Sequence, residues 1–157
     1  MEGCSWKLEA RTNRIRRKLI ILAIMEDKIE NIEKIVQYRK ESSDHNYKTM
    51  HNLLKTRDYS WALFMGHLVL EKLIKACYVK KLKKHAIHTY DLLRLATKAG
   101  LNLSEDTEEW LDEISTFNLN ARYDNYKRDF HKLCTKEFTD TWIERIENIR
   151  KWLIREL

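Results

Sequence analysis

The scarcity of residues that interrupt helices constrains this fold most: 157 residues include no proline and only three glycines. Proline removes a backbone donor and glycine destabilises a helix interior, so long helices meet few obstacles here. Apolar residues recur at helical spacing at about 26–56, 59–82 and 89–99, after Ser104 and after Thr135. We predict an all-α fold, a mainly antiparallel bundle of four to five helices.

Individual residues indicate how these helices are arranged. The segment 59–82 is apolar on two adjacent faces, which predicts a central position in the bundle. Gly100 suits the position just after a helix end, whereas Ser104 and Thr135 suit helix N-caps. Between the last two helices, residues 120–134 show no steady apolar stripe, and we predict one long irregular connection there.

The first 24 residues differ from the rest in charge. This leader contains six cationic and two acidic residues, so it carries a net +4 of the chain's formal +6. The simplest division is a basic, helical N-terminal extension at 1–24 and one domain at 25–157. The +2 that remains in the domain is too small to argue for nucleic acid by itself.

Cysteine usage and hydropathy indicate the compartment. The three cysteines are odd in number and form no CxxC pair, which favours a reducing, cytoplasmic setting. No apolar run approaches the roughly 18 residues that a membrane span needs. We therefore expect no membrane association.

Motifs for cofactor and metal binding are missing from the sequence. There is no Gly-rich phosphate loop, GxSxG or HExxH motif, and His85 and His88 lack further ligands at metal spacing. We therefore expect no cofactor and no metal.

The segment 120–134 is rich in rings and cations, including Arg122, Tyr123, Tyr126, Lys127 and Arg128. Two interpretations stay open. The rings and cations can clamp a loop onto the bundle through cation–π contacts. Alternatively, they form an anion site in which a guanidinium binds phosphate while a tyrosine stacks on a base.

Glu71 is an acid in the middle of the most apolar helix, so it needs a partner. His67 and Lys75 lie four residues to either side, on the same helix face. We predict a contact with Arg122, whose fork satisfies both carboxylate oxygens, and keep an ordinary pair with Lys75 as the alternative.

Three blocks of the sequence together resemble the prokaryotic HEPN-domain family: YSWALFMGHLVLEKLIKACYVKK, HAIHTYDLLRLATKAG and FNLNARYDNYKRDFHKLCTKEFTDTWIERIENIRKWL. The resemblance spans about 25–157. It implies a helical bundle, commonly a homodimer, that is often encoded beside a minimal nucleotidyltransferase in a toxin–antitoxin-like or defence pair. Many members are metal-independent endoribonucleases with an Arg, four to six residues, then a His, which transfers protons while the Arg stabilises phosphate charge.

The sequence departs from this signature. Arg122 stands at the position of the family's arginine, but the histidine would fall where Lys127, Arg128 and Asp129 stand. The RxxxxHxY form, whose tyrosine is nucleotidylylated in some relatives, is absent as well. The resemblance therefore implies a phosphate-binding role for Arg122, whereas the histidine that transfers protons in the family's ribonucleases is missing at the expected spacing.

We hypothesise a module that binds a nucleotide or an RNA phosphate and works with a nucleotidyltransferase partner. The first alternative is an endoribonuclease toxin that uses a displaced histidine, His131 or His67, with Arg122. The second is a dimeric protein-interaction scaffold. The expected phosphate-binding residues are Arg122, Tyr123, Tyr126, Lys127, Arg128, Glu71 and His67.

Overall fold

The computed structural model describes residues 13–17 and 31–157, and it divides the chain into two units, Met1–Glu30 and Asn31–Leu157. Residues 13–17 are helical. The rest of the predicted extension, and the predicted boundary after residue 24, lie outside the described residues.

All regular secondary structure in the described residues is helical, which confirms the all-α prediction. Six helices make up the second unit: α1 (Ile32–Lys55), α2 (Tyr59–Leu82), α3 (Leu92–Lys98), α4 (Glu105–Arg122), α5 (Asp124–Leu133) and α6 (Lys136–Glu156). Four N-caps follow the rule that a short polar side chain satisfies a free helix amide. Asn31, Asp91, Ser104 and Thr135 accept from the amide three residues on.

The centre of this unit is α2, as its two apolar faces predict. It packs against each of the other five helices. Its buried residues include Leu63, Leu70 and Leu73, which have no exposed surface. Gly66 lets α6 approach closely, because a Cβ at that position would lie 2.5 Å from Ile146 Cδ1. The central helix is therefore the frame on which a site in this unit is built.

The prediction of an irregular connection at 120–134 was wrong. Helix α4 continues through Arg122, Tyr123 forms a single-residue break, and α5 follows at once. Phe130 is the one buried residue of α5, where it packs on Phe117 at a ring-centroid distance of 5.4 Å. A helix anchored by one side chain shows no repeating apolar stripe, which is why its periodicity was not visible in the sequence.

Candidate functional site

Arg122, the last residue of α4, is held in place by Asn118 one turn earlier. Its Nε donates to the Asn118 carbonyl oxygen at 2.9 Å, and its Nη2 donates to Asn118 Oδ1. A guanidinium has five N–H donors, and the other three have no acceptor among the described residues. Arg122 is an exposed residue, so these donors are open to a ligand.

Three aromatic rings surround the guanidinium. Its Cζ lies 5.6 Å from the ring centroid of Phe64, 5.6 Å from that of Tyr90 and 5.5 Å from that of Tyr123. Such rings attract a cation through their quadrupole without neutralising it. No acidic side chain of the described residues forms an ion pair with Arg122. Arg122 therefore presents a fixed positive charge that an anion can pair with.

Asn118 connects Arg122 to the buried His67. Because Asn118 Oδ1 accepts from Arg122, its Nδ2 is the group that donates to His67 Nδ1, at 3.4 Å. His67 Nε2 then carries the ring proton and donates to the carbonyl oxygen of Tyr90 at 3.0 Å. One chain of hydrogen bonds thus joins the exposed cation to the core and to the loop that carries Tyr90.

His67 has no exposed surface. Burial lowers its pKa from the ordinary 6.5, against the opposing influence of the Tyr90 carbonyl and of Glu71. The imidazole is therefore neutral at pH 7, which is the state that the hydrogen bond from Asn118 requires. In this arrangement His67 positions Asn118 and Tyr90.

The predicted contact between Glu71 and Arg122 is not formed. Glu71 Oε1 instead accepts from Lys75 Nζ at 2.5 Å, the alternative partner on the same helix face. Glu71 Oε2 is buried, lies 3.7 Å from His67 Nδ1 and has no hydrogen-bond partner among the described residues. Arg122 bonds to Asn118 instead, because that amide lies one turn away on its own helix. Glu71 therefore lies next to the Arg122 network only through its neighbour His67.

A cavity of about 610 Å³ lies between α5 and the start of α2. Two residues of its lining are in contact: Lys127 Nζ lies 5.5 Å from the ring centroid of Trp61. Three side chains of the lining are cations and two are acids, which makes the cavity mildly basic. The lining residues are Asp58, Ser60, Trp61, Asp124, Lys127, Arg128, His131 and Lys132.

The structure separates the expected site residues into three places. Arg122 and Tyr123 lie together at the end of α4, and Tyr126 is exposed on α5. The second place is the cavity, where Lys127, Arg128 and His131 line the wall. In the third, Glu71 and His67 are buried beneath Arg122.

Sequence reasoning missed four residues of the site: Asn118, Trp61, Phe64 and Tyr90. The spacing of four between Asn118 and Arg122 was a usable signal, since such residues share a helix face. Trp61 and Phe64 belong to the apolar segment 59–82, whose two apolar faces predict core packing and not a site. Tyr90 contributes its backbone carbonyl as well as its ring, and a carbonyl leaves no mark in a sequence.

The described cysteines are inert thiols. Burial raises the pKa of Cys77 to about 11 and that of Cys134 to about 12, so both stay protonated at neutral pH. His85 and His88 are exposed. Across residues 13–17 and 31–157, no cluster of three metal-ligating side chains occurs, and none of the helices described there could cross a membrane.

Comparison with known proteins identifies the domain. The sequence model of the HEPN domain matches residues 36–157. The crystal structure of TT1696 from Thermus thermophilus is similar in fold, with a TM-score of 0.67 at 15% identity over 82% of this chain and 100% of that chain. No curated protein matches the chain.

Proposed function

The chain belongs to the HEPN domain family, and from that premise we propose that it binds a nucleotide or an RNA phosphate through Arg122. HEPN domains are nucleotide- or RNA-related modules that often form dimers. The finer proposal adds a homodimer, a minimal nucleotidyltransferase partner and a cytoplasmic toxin–antitoxin or defence-type system. It also holds that the usual ribonuclease motif is missing, because Lys127, Arg128 and Asp129 stand where its histidine belongs.

The observation that carries this proposal is the state of Arg122. Two of its donors are bonded to Asn118, three have no acceptor among the described residues, and three rings surround its charge without an acid to neutralise it. An oriented guanidinium is well suited to paired hydrogen bonds with phosphate oxygens. The ring contacts match the cation–π clamp that the sequence also allowed. They give the three remaining N–H donors no acceptor, and a phosphate supplies one.

Direct titration tests the binding proposal. ATP, GTP and a short single-stranded RNA are added separately to the purified chain, and binding is measured by calorimetry. We expect heat from at least one of them, and affinity that falls as salt rises because phosphates are being neutralised. Absence of binding to all three contradicts the proposal.

Co-expression tests the partnership. The nucleotidyltransferase encoded beside this chain, if the neighbouring reading frame is one, is expected to co-purify with it. An Arg122→Ala variant that keeps the dimer but loses ligand supports the binding module. Loss of the dimer in that variant supports the scaffold alternative, for which the exposed rings of Tyr123 and Tyr126 are the relevant surface.

One observation favours the endoribonuclease alternative: His131 shares the cavity with Lys127 and Arg128, so an exposed imidazole lies beside possible phosphate ligands. Its test is expression of the wild type and of an Arg122→Ala/His131→Ala variant in bacteria. The endoribonuclease alternative is supported if the wild type cleaves RNA and arrests growth while the double variant does neither. If neither chain cleaves RNA, the endoribonuclease alternative is rejected and the proposed binding function is kept.

A further inference from the structure

Trp61 is unusual among the tryptophans of this chain. Four of the five are described, and Trp61 alone is an exposed residue, with 37% of its surface accessible. The others are buried or half-buried in the bundle. Exposing an indole costs hydrophobic free energy that burial would recover, so a large ring at the wall of a cavity is a candidate contact for a ligand.

The side chains around Trp61 are those that a nucleotide needs. Lys127, Arg128 and Lys132 of α5 all line this cavity, and they supply phosphate ligands. The carboxylates of Asp58 and Asp124 lie in the same wall. They weaken the attraction for a bare phosphate, but they are the acceptors that the amino group of a base requires.

Lys127 now occupies the position over the indole that a base would take. Its Nζ lies 5.5 Å from the Trp61 ring centroid, held by a cation–π contact of modest strength. A phosphate in the cavity gives Lys127 a stronger partner, and its departure uncovers the ring for stacking. The two interactions of a nucleotide therefore support each other.

Phe64 links this cavity to Arg122. Its ring centroid lies 5.6 Å from Arg122 Cζ and 5.7 Å from the Trp61 centroid, with the two rings edge to face. We call the resulting surface the Arg122–Trp61 strip: Arg122, Phe64, Trp61 and Lys127 in consecutive contact. A single nucleotide has one phosphate group at one end, whereas the strip offers cations at both ends of a stacking ring.

We infer that the Arg122–Trp61 strip binds a short single-stranded oligonucleotide, with one base stacked on Trp61 and phosphates held by Arg122 on one side and by the α5 cations on the other. The inference rests on the proposed function and specifies its ligand. Paired bases are excluded because their faces are already covered within the duplex.

The test measures binding of three labelled probes to the full chain: AMP, a single-stranded adenylate oligomer of about six nucleotides, and a blunt RNA duplex. We expect the oligomer to bind most tightly. Trp61→Ala is expected to weaken it about tenfold, and Trp61→Phe, which keeps a ring, to restore most of the affinity. Tyr38→Ala is the control, because Tyr38 is an exposed ring on α1 that does not line the cavity.

Salt dependence separates the two kinds of contact. For single strands the slope of log affinity against log salt changes by about 0.7 per phosphate neutralised. Lys127→Gln is expected to reduce the slope by about that amount, whereas Trp61→Ala lowers affinity and leaves the slope unchanged. Lys48→Gln, at an exposed position of α1, is the matched control for charge.

The outcomes distinguish this inference from the function on which it rests. If Arg122→Gln weakens binding while Trp61→Ala binds like the wild type, the inference fails and the proposed function stands. Equal affinity for AMP, the duplex and the oligomer also overturns it. If no probe binds the wild-type chain, the inference fails, and the proposed function fails with it when ATP and GTP do not bind either.

Discussion

Arg122 and His67 share a single partner, the side-chain amide of Asn118. Arg122 donates to its oxygen, and its nitrogen donates to His67 Nδ1 at 3.4 Å. Asn118 and His67 are both buried, with 1% and 0% of their surface exposed, whereas Arg122 is exposed. The orientation of a surface cation is therefore set by polar groups in the core, and the network makes separate predictions for each member.

The first prediction concerns Asn118→Ala. This change leaves His67 Nδ1 buried without a donor, which costs about 1–3 kcal/mol of unfolding free energy. Ligand affinity is expected to fall less than in an Arg122 variant, because Arg122 Nε keeps its bond to the backbone oxygen at 118. Urea denaturation measures the first effect and RNA titration the second.

Asn148→Ala is the control for this prediction, since Asn148 is exposed on α6. Its unfolding free energy should stay within about 0.5 kcal/mol of the wild type. If Asn118→Ala is as stable as this control, the amide does not join the two side chains as described.

The second prediction concerns pH. Burial lowers the pKa of His67 in the folded chain, whereas the unfolded chain titrates near 6.5. Below that value the unfolded state binds more protons, so the contribution of His67 to stability is present above pH 6.5 and is lost as pH falls towards the folded pKa. The loss is at most about 1.4 kcal/mol per pH unit.

Urea unfolding at about pH 7.5 and about pH 5.5 measures this loss. In His67→Gln the difference between the two pH values is expected to shrink, because the group that binds the extra proton is gone. His45→Gln, at an exposed position of α1, should keep the wild-type difference. The explanation fails if His67→Gln loses as much stability on acidification as the wild type does.

The third prediction tests the pairing of Glu71. The side chains of Lys75 and Glu71 are only 13% and 9% exposed, so Lys75→Met leaves a carboxylate without its cation in a nearly dry site. We expect a loss of about 3 kcal/mol or more in unfolding free energy. Glu71→Leu combined with Lys75→Met should recover much of it, because the buried carboxylate and the cation bonded to it are then removed together.

Arg122→Ala is the comparison for the third prediction. Since Arg122 does not touch Glu71, its loss should destabilise the chain much less than Lys75→Met does. If Arg122→Ala destabilises the chain more than Lys75→Met does, Glu71 pairs with Arg122, as the sequence predicted.

The sequence predicted those parts of the fold in which many residues repeat one signal. The two apolar faces of α2 indicated its central position, and Ser104 and Thr135 marked helix starts through cap chemistry. Helix α5 was missed because Phe130 alone is buried in it, and one residue makes no period.

The site was predicted only in part, for a related reason. The bond between Asn118 and His67 joins positions 51 residues apart, and neither residue type indicates such a partner by itself. For Glu71, the local partner on its own helix prevailed over the distant one, because Arg122 found an acceptor one turn away. Pairing across the core depends on packing geometry, which periodicity does not encode.

The most direct test of the central claim is the affinity of the chain for a labelled single-stranded RNA at fixed salt, compared with that of Arg122→Gln. A charge-assisted contact with phosphate predicts a loss of at least about tenfold. Arg122→Lys, which keeps the charge without the fork, should lie between the two. Equal affinity of wild type and Arg122→Gln, with both chains folded, would contradict the account.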